Sequence, residues 1–274
     1  MRGSRSLRLT TSNPHRLAAV VFDVDGTLAE TERDGHRPAF NEAFAAHGLH
    51  VEWDVDEYRR LLKITGGRRR IAAGLRNRGF SDRVDELAAA IHQTKTELFR
   101  ERILAGAVVP RPGLRALVES LSVQGVEIAV ATTGTRRWVE PLVRQIFDGN
   151  VPEVIVTGDE VTRLKPDPEV YLLALGRLQM APEHALAVED SAVGLAAARA
   201  AEIATLVVSN SYTEGEDFGD AAEVRTGYDG CDPLTADGCR RAHHRWWSAQ
   251  ASISTISRSF STDKSARDST KYRP

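Results

Sequence analysis

Five short apolar runs, each separated from the next by a stretch of helical periodicity, limit most strongly how this chain can fold. AAVVFD (18–23), EIAVAT (127–132), EVIVTG (153–158), ALAVED (185–190) and TLVVS (205–209) carry Val, Ile, Leu and Ala with almost no polar alternation. Strands that show no polar face are buried on both sides, as in parallel sheets covered by helices. The intervening segments RPGLRALVESLSVQG, RRWVEPLVRQIF, PEVYLLALGRLQ and SAVGLAAARAA have the spacing of such helices. The expected fold is an α/β, doubly wound, Rossmann-like parallel sheet, in which chemistry gathers beyond the carboxyl ends of the strands.

One region breaks the alternation. From Arg37 to Gly106 the patterns are helical only: PAFNEAFAAHG, DEYRRLLKI, RRRIAAGLRNRG and RVDELAAAIHQTKTELFRERI. The chain returns through VVPRPG, where Pro110, Pro112 and Gly113 punctuate the junction. This predicts an all-helical cap over residues 33–109, inserted into a discontinuous core of residues 17–32 and 110–225. Residues 1–16 hold four arginines and no acid and are expected to be an unstructured extension. Residues 226–274 are rich in Ser, Thr and Arg and are expected to be a disordered tail, with Trp246 and Trp247 in a loose segment.

Charge and cysteine usage exclude several classes. Against 38 acidic residues stand 36 basic ones, which favours neither nucleic acid nor a membrane surface as partner. No apolar run is long enough to span a bilayer. Cys231 and Cys239 match no zinc spacing, so incidental thiols in a reducing cytoplasm are expected.

The strand ends carry the chemistry. The first leads into Asp23-Val24-Asp25-Gly26-Thr27, the second into Thr132-Thr133, the third into RLKPDP with Lys165, and the fourth ends in Glu189-Asp190. Taken singly, Asp-Gly is a turn dipeptide, Lys-Pro a turn and Asp190-Ser191 a helix cap. An Asp-x-Asp-Gly-Thr string arises by chance at roughly one start position in 10^5. Four such groups at successive strand ends point instead to one site.

This set, in this order, resembles the haloacid dehalogenase superfamily of phosphohydrolases from Leu17 to Arg225, helical cap included. The resemblance implies a Mg2+ site built from Asp23, Asp25, Glu189 and Asp190. It implies that Asp23 attacks phosphorus to form an aspartyl-phosphate and that Asp25 is general acid and base. Lys165, Thr132 and Thr133 would neutralise the phosphoryl oxygens. These roles agree with elementary chemistry. A phosphate monoester is inert enough that its catalysed rate gain reaches ~10^21, and a carboxylate attacking it needs positive charge nearby.

Within the cap, TGGRRR places Arg68, Arg69 and Arg70 at a helix start, where the macrodipole disfavours cations unless an anion binds. LAETERDGHRPAFNEAF and LLKITGGRRRI resemble the CbbY branch, whose members act on bisphosphorylated sugars such as xylulose 1,5-bisphosphate. By that resemblance Glu30, His36 and Arg37 line the cavity below the cap. Thr65, Gly66, Gly67, Arg68 and Arg70 hold a distal phosphate, and Arg136 also contacts substrate. One departure is Gly134, where a hydroxyl residue is commoner. The expected protein is a monomeric sugar-phosphate phosphatase. A phosphomutase of the β-phosphoglucomutase kind is the alternative. A dehalogenase has no use for Asp25 and Asp190, and a catalytically silent interaction module would not fill every catalytic position.

Overall fold

Six parallel strands form one sheet in the order β3-β2-β1-β4-β5-β6. They are β1 (Ala19–Phe22), β2 (Glu127–Ala131), β3 (Val154–Val156), β4 (Ala185–Glu189), β5 (Ala204–Val208) and β6 (Glu223–Arg225). The computed structural model describes residues 15–64, 66–148 and 151–268, with side chains to position 252. Residues 1–14 of the expected extension therefore lie outside the described residues. Among the described residues, no helix is long and apolar enough to cross a membrane.

Side chains alternate along each strand, and both faces are apolar. Val20, Phe22, Val130, Val188 and Leu206 point into one core cluster with Leu117 and Leu121 of α5 (Leu114–Val123) and Leu142 of α6 (Arg136–Ile146). Val21, Ala129, Ala187 and Val156 point the other way, against α7 (Glu169–Leu178) and α8 (Ala192–Ala200). Small alanines on that second face let Tyr171 and Leu175 come close to the sheet.

Register then determines which residues share an edge. Phe22 is level with Val130 of β2 and Val188 of β4. One residue further on, Asp23 emerges beside Ala131 and Glu189, and all three backbones leave the sheet together. The order of the strands reverses around β1, which is where an open α/β sheet forms its crevice.

Between β1 and α5 the chain makes a π-helical turn, Thr31–His36, and four helices. These are α1 (Arg37–Ala46), α2 (Val55–Leu62), α3 (Gly67–Asn77) and α4 (Val84–Leu104). Phe40, Phe44, Trp53, Tyr58, Ile71, Leu75 and Ile91 give them a separate core. Asp54 caps α2 by accepting the Glu57 N–H at 2.7 Å.

The region after Arg225 differs from the expectation of a disordered tail. Tyr228, Leu234, Ala236, Cys239, Ala242 and His243 are buried, and Trp246 and Trp247 pack partly against the same core. From Ala236 the chain is helical to Asp268 (α9). The polar composition hid a sparse stripe, Ala236, Cys239, Ala242, His243 and Trp246, spaced as one helix face. Each large side chain buried there contributes about 1.5–3 kcal/mol. The preceding strand β6 was also missed. It is three residues long and partly exposed, so it has no apolar run to read.

Candidate active site

Lys165 is the charge at the centre of the strand ends. Its ammonium donates to Asp23 Oδ1 at 2.6 Å, to Glu189 Oε1 at 2.7 Å and to the Ala131 carbonyl at 2.9 Å. The Tyr171 hydroxyl donates to the same Glu189 oxygen at 2.6 Å. Burial would strip the proton from Lys165, but the two carboxylates overcome this and push its pKa up. Removal from water pushes Asp23 up to about 8, with Glu189 and Asp25 adding to the rise and Lys165 opposing it. Asp190 is raised for the same reasons, burial first and then the charges of Asp23 and Glu189.

Oxygen atoms of Asp23, Glu189 and Asp190 lie within 4.8 Å of one another, all three residues buried. Three carboxylates this close favour a cation, and a donor set of hard oxygens suits Mg2+. Glu189 is already held by Lys165 and Tyr171, so it fits best as a supporting anion behind Asp23 and Asp190.

Asp25 has a different environment. Its Oδ1 accepts the Thr31 hydroxyl at 2.5 Å and lies 3.2 Å from His36 Nε2. Although burial works against it, these hydrogen bonds and the nearby Lys95 hold its pKa below the usual carboxylate value. Two carboxylates two residues apart are thus pushed in opposite directions, the arrangement that separates roles in acid–base chemistry. The π-helical turn makes this possible, because it brings both Thr31 and His36 back onto Asp25.

Gly26 turns the chain away at φ +77°. A β-carbon there would sit 2.2 Å from Asp190 Oδ2 and 2.6 Å from Asn210 Nδ2, so no larger residue fits. Arg111, on the return from the cap, donates to the carbonyls of Gly26 (2.6 Å), Val208 (2.7 Å) and Ser209 (2.8 Å). Tyr228 donates to the Thr27 carbonyl at 3.0 Å. The catalytic turn is therefore pinned by residues distant in sequence.

A cavity of about 660 Å³ lies over this floor. Asp23, Asp25, Lys165, Asp190 and Thr133 line it from the core, and Leu62, Lys63, Gly66 and Arg70 line it from the cap. Thr132 is buried below, where its hydroxyl accepts the Gly134 N–H at 3.0 Å. Gly134 now has an explanation: a β-carbon would stand 2.2 Å from the Trp138 ring, whose edge contacts His36 and Phe99.

Several residues expected to touch substrate are placed elsewhere. Glu30 pairs with Arg111 at 3.2 Å. Arg37 reaches the Trp53 carbonyl, at 3.5 Å, and the Tyr212 hydroxyl. Gly67 lies under the His92 ring and not on the cavity wall. Arg136 is a correction: Glu160 (2.6 Å) and the Ile155 carbonyl (2.8 Å) hold its guanidinium away from the cavity. Arg68 is exposed on the first turn of α3, and Thr65 lies outside the described residues. His36, expected on the wall of the cavity below the cap, instead faces Asp25, its Nε2 3.2 Å from Oδ1.

Other residues at the site were not foreseen. Lys95 meets His36, Tyr58 donates to Glu32, and Arg70 donates to Tyr58 at 3.1 Å. Lys95 had a readable signal, a lysine within the buried stripe Ile91, Lys95 and Phe99 of α4. Glu32, Tyr58, Asn210 and Arg111 had none, since nothing local distinguishes them from surface residues.

Comparison with known proteins agrees with this geometry. Residues 17–202 match the haloacid dehalogenase-like hydrolase family. Protein CbbY of Rhodobacter capsulatus is 46% identical over 205 residues, covering 74% of this chain and 89% of that protein. The CBBY-like protein of Arabidopsis thaliana is 39% identical over 236 residues, covering 81% of this chain and 74% of that protein. A mutant CbbY from Rhodobacter sphaeroides, crystallised in complex with xylulose-(1,5)bisphosphate, superposes with a TM-score of 0.71 at 41% identity. It covers 81% of this chain and 99% of its own.

Proposed function

From the premise that the chain belongs to the haloacid dehalogenase-like hydrolase family, we propose that it is a Mg2+-dependent phosphatase for a sugar bisphosphate, xylulose 1,5-bisphosphate being the preferred candidate. The observation that carries this reading is the opposed pair at the cavity floor. Asp23 is 2.6 Å from the Lys165 ammonium, and Asp25 accepts the Thr31 hydroxyl beside His36, contacts that favour its ionised form.

Asp23 attacks phosphorus and displaces the sugar oxygen, forming an aspartyl-phosphate. Lys165 spreads the charge on Asp23 and on the arriving phosphoryl oxygens, with the amide of Thr133 alongside. Thr132, buried below, holds the turn through the Gly134 N–H and does not reach the substrate as expected. The negative charge of the bound phosphate raises the proton affinity of Asp25, which then protonates the leaving oxygen. Returned to the ionised form that its hydrogen bonds favour, Asp25 takes a proton from the water that hydrolyses the acyl-phosphate. Asp23 and Asp190 would hold Mg2+, with Glu189 behind them and Asp25 adjacent, and the ion supplies the charge that lets a carboxylate approach a phosphate.

At the far end of the cavity, Gly66 and Arg70 would offer an N–H and a guanidinium group to a second phosphate. Arg68, exposed on the first turn of α3 outside the cavity lining, would reach that phosphate from the solvent side. Phosphate release from sugar mono- and bisphosphates, with Mg2+ and then with chelator, tests the reading. Chelator-sensitive release that favours bisphosphates supports it. Turnover without Mg2+, or isomerisation without net phosphate release, overturns it in favour of another chemistry or of a mutase.

A further inference from the structure

Asn210, two residues beyond β5, uses both ends of its side-chain amide. Nδ2 donates to Asp190 Oδ2 at 2.6 Å and lies 3.4 Å from the Gly26 carbonyl. Oδ1 accepts the N–H groups of Tyr212 at 2.8 Å and Thr213 at 3.3 Å, and the Thr213 hydroxyl accepts the Asn210 N–H at 3.1 Å. The orientation of the amide is thus set by the turn that follows it.

That turn, although it belongs to the core, is seated on the cap. Tyr212 is 5% exposed and lies among the cap's own core residues, its ring edge-on to Tyr58 at 5.8 Å between centroids. The Ser211 carbonyl accepts two bonds from Arg59 of α2, at 2.7 and 3.2 Å. A shift of the cap that withdrew Tyr58 and Arg59 would release the turn, and with it the donor that orients one oxygen of Asp190.

We propose that Asn210 is a positioning residue that links the seating of the cap, sensed through Tyr212 and Ser211, to the orientation of the candidate metal carboxylate Asp190. The proposal rests on the Mg2+-dependent reading of the site. By linkage, contacts that seat the cap raise the affinity of the acidic cluster for the ion, and the ion favours the seated cap by the same factor.

Calorimetric titration of the full chain with Mg2+ alone tests the link. Asn210→Ala is expected to weaken Mg2+ binding about tenfold, the effect of losing one charge-assisted hydrogen bond. Tyr212→Leu and Arg59→Ala, which remove no group from the acidic cluster, are expected to weaken it severalfold. In the double variant Asn210→Ala with Tyr212→Leu, the loss should be no larger than for Asn210→Ala alone, because both act through one element. Arg59 is half-exposed, so its variant remains usable if Tyr212→Leu does not fold. Unchanged Mg2+ affinity in the Arg59 and Tyr212 variants, or losses that add in the double variant, overturn the link while leaving the phosphatase reading intact. Failure of the unmodified protein to bind Mg2+ overturns both.

Discussion

Lys95 Nζ lies 2.6 Å from His36 Nδ1, and His36 Nε2 lies 3.2 Å from Asp25 Oδ1. An ammonium can only donate, so Nδ1 is the bare nitrogen and Nε2 carries the proton that Asp25 accepts. The result is a one-way chain of donors from cap helix α4 to Asp25, the carboxylate proposed to handle protons. Phe99, stacked on the imidazole at 3.8 Å, keeps the ring in that plane.

Lys95 sets a pH dependence. Burial lowers its pKa to about 8, against the pull of Glu32 and Asp25. Above pH 8 the ammonium is lost, and kcat/KM should fall; Lys95→Met should be slower at neutral pH and lack that alkaline limb. Stability has the opposite sign. Between pH 8 and the ordinary lysine value the unfolded chain binds the proton that the folded chain has released, so stability rises with pH. Lys95→Met is therefore expected to raise Tm at pH 7, by the equivalent of roughly 1–3 kcal/mol, and the gap should narrow toward pH 10. A pH series of melting curves on both proteins checks the sign.

Lys165→Met should damage both folding and chemistry. It leaves Asp23 and Glu189 buried without their cation, and breaking such a pair costs about 3–5 kcal/mol. Urea unfolding with unchanged stability would remove Lys165 from the role assigned to it.

Asp25→Asn is expected to retain Mg2+ binding, because Asp23 and Asp190 remain, while turnover falls by at least about 10^2 through loss of acid–base chemistry. Steady-state phosphate release near the level of the unmodified protein would take Asp25 out of the mechanism.

Arg68→Ala and Arg70→Ala separate the two ends of the cavity. Each should raise KM for a sugar bisphosphate about tenfold or more while leaving a monophosphate nearly unaffected. Arg70 should also cost stability, since its guanidinium is bonded to the Leu61 carbonyl and the Tyr58 hydroxyl. Equal effects on both substrate classes would argue against a distal phosphate subsite.

Ending the chain at Thr226 tests the role of α9. Tyr228, Leu234, Cys239 and Ala242 lie in the main core, so the truncated protein should be markedly less stable or insoluble. A truncated protein with an unchanged melting temperature would mean that this helix contributes nothing to the core.

The sheet was legible because its central strands are buried on both faces, and continuous apolar runs result. Asp23, Asp25, Lys165, Thr132 and Glu189-Asp190 were legible because each sits where such a run stops, a position local to the sequence. Asn210 and Arg111 follow no such rule. Each acts through hydrogen bonds to backbone or carboxylate atoms contributed by distant segments, and a residue's own neighbours carry no trace of that. Glu30 and Arg136 illustrate the reverse: plausible by position, they are drawn off by Arg111 and Glu160, partners that only the packed chain brings within reach.

Sequence by itself pointed to the family and to the proposed chemistry, because phosphoryl transfer to a carboxylate would need particular groups at the ends of particular strands. Tertiary structure decided how the surroundings of the two aspartates differ. Asp23 meets Lys165 and the acidic cluster, whereas Asp25 meets Thr31 and His36. The residues themselves are identical in type and two positions apart. Their proton affinities diverge because burial, with Glu189 and Asp25, outweighs Lys165 at Asp23, whereas at Asp25 the hydrogen bonds from His36 and Thr31 outweigh burial.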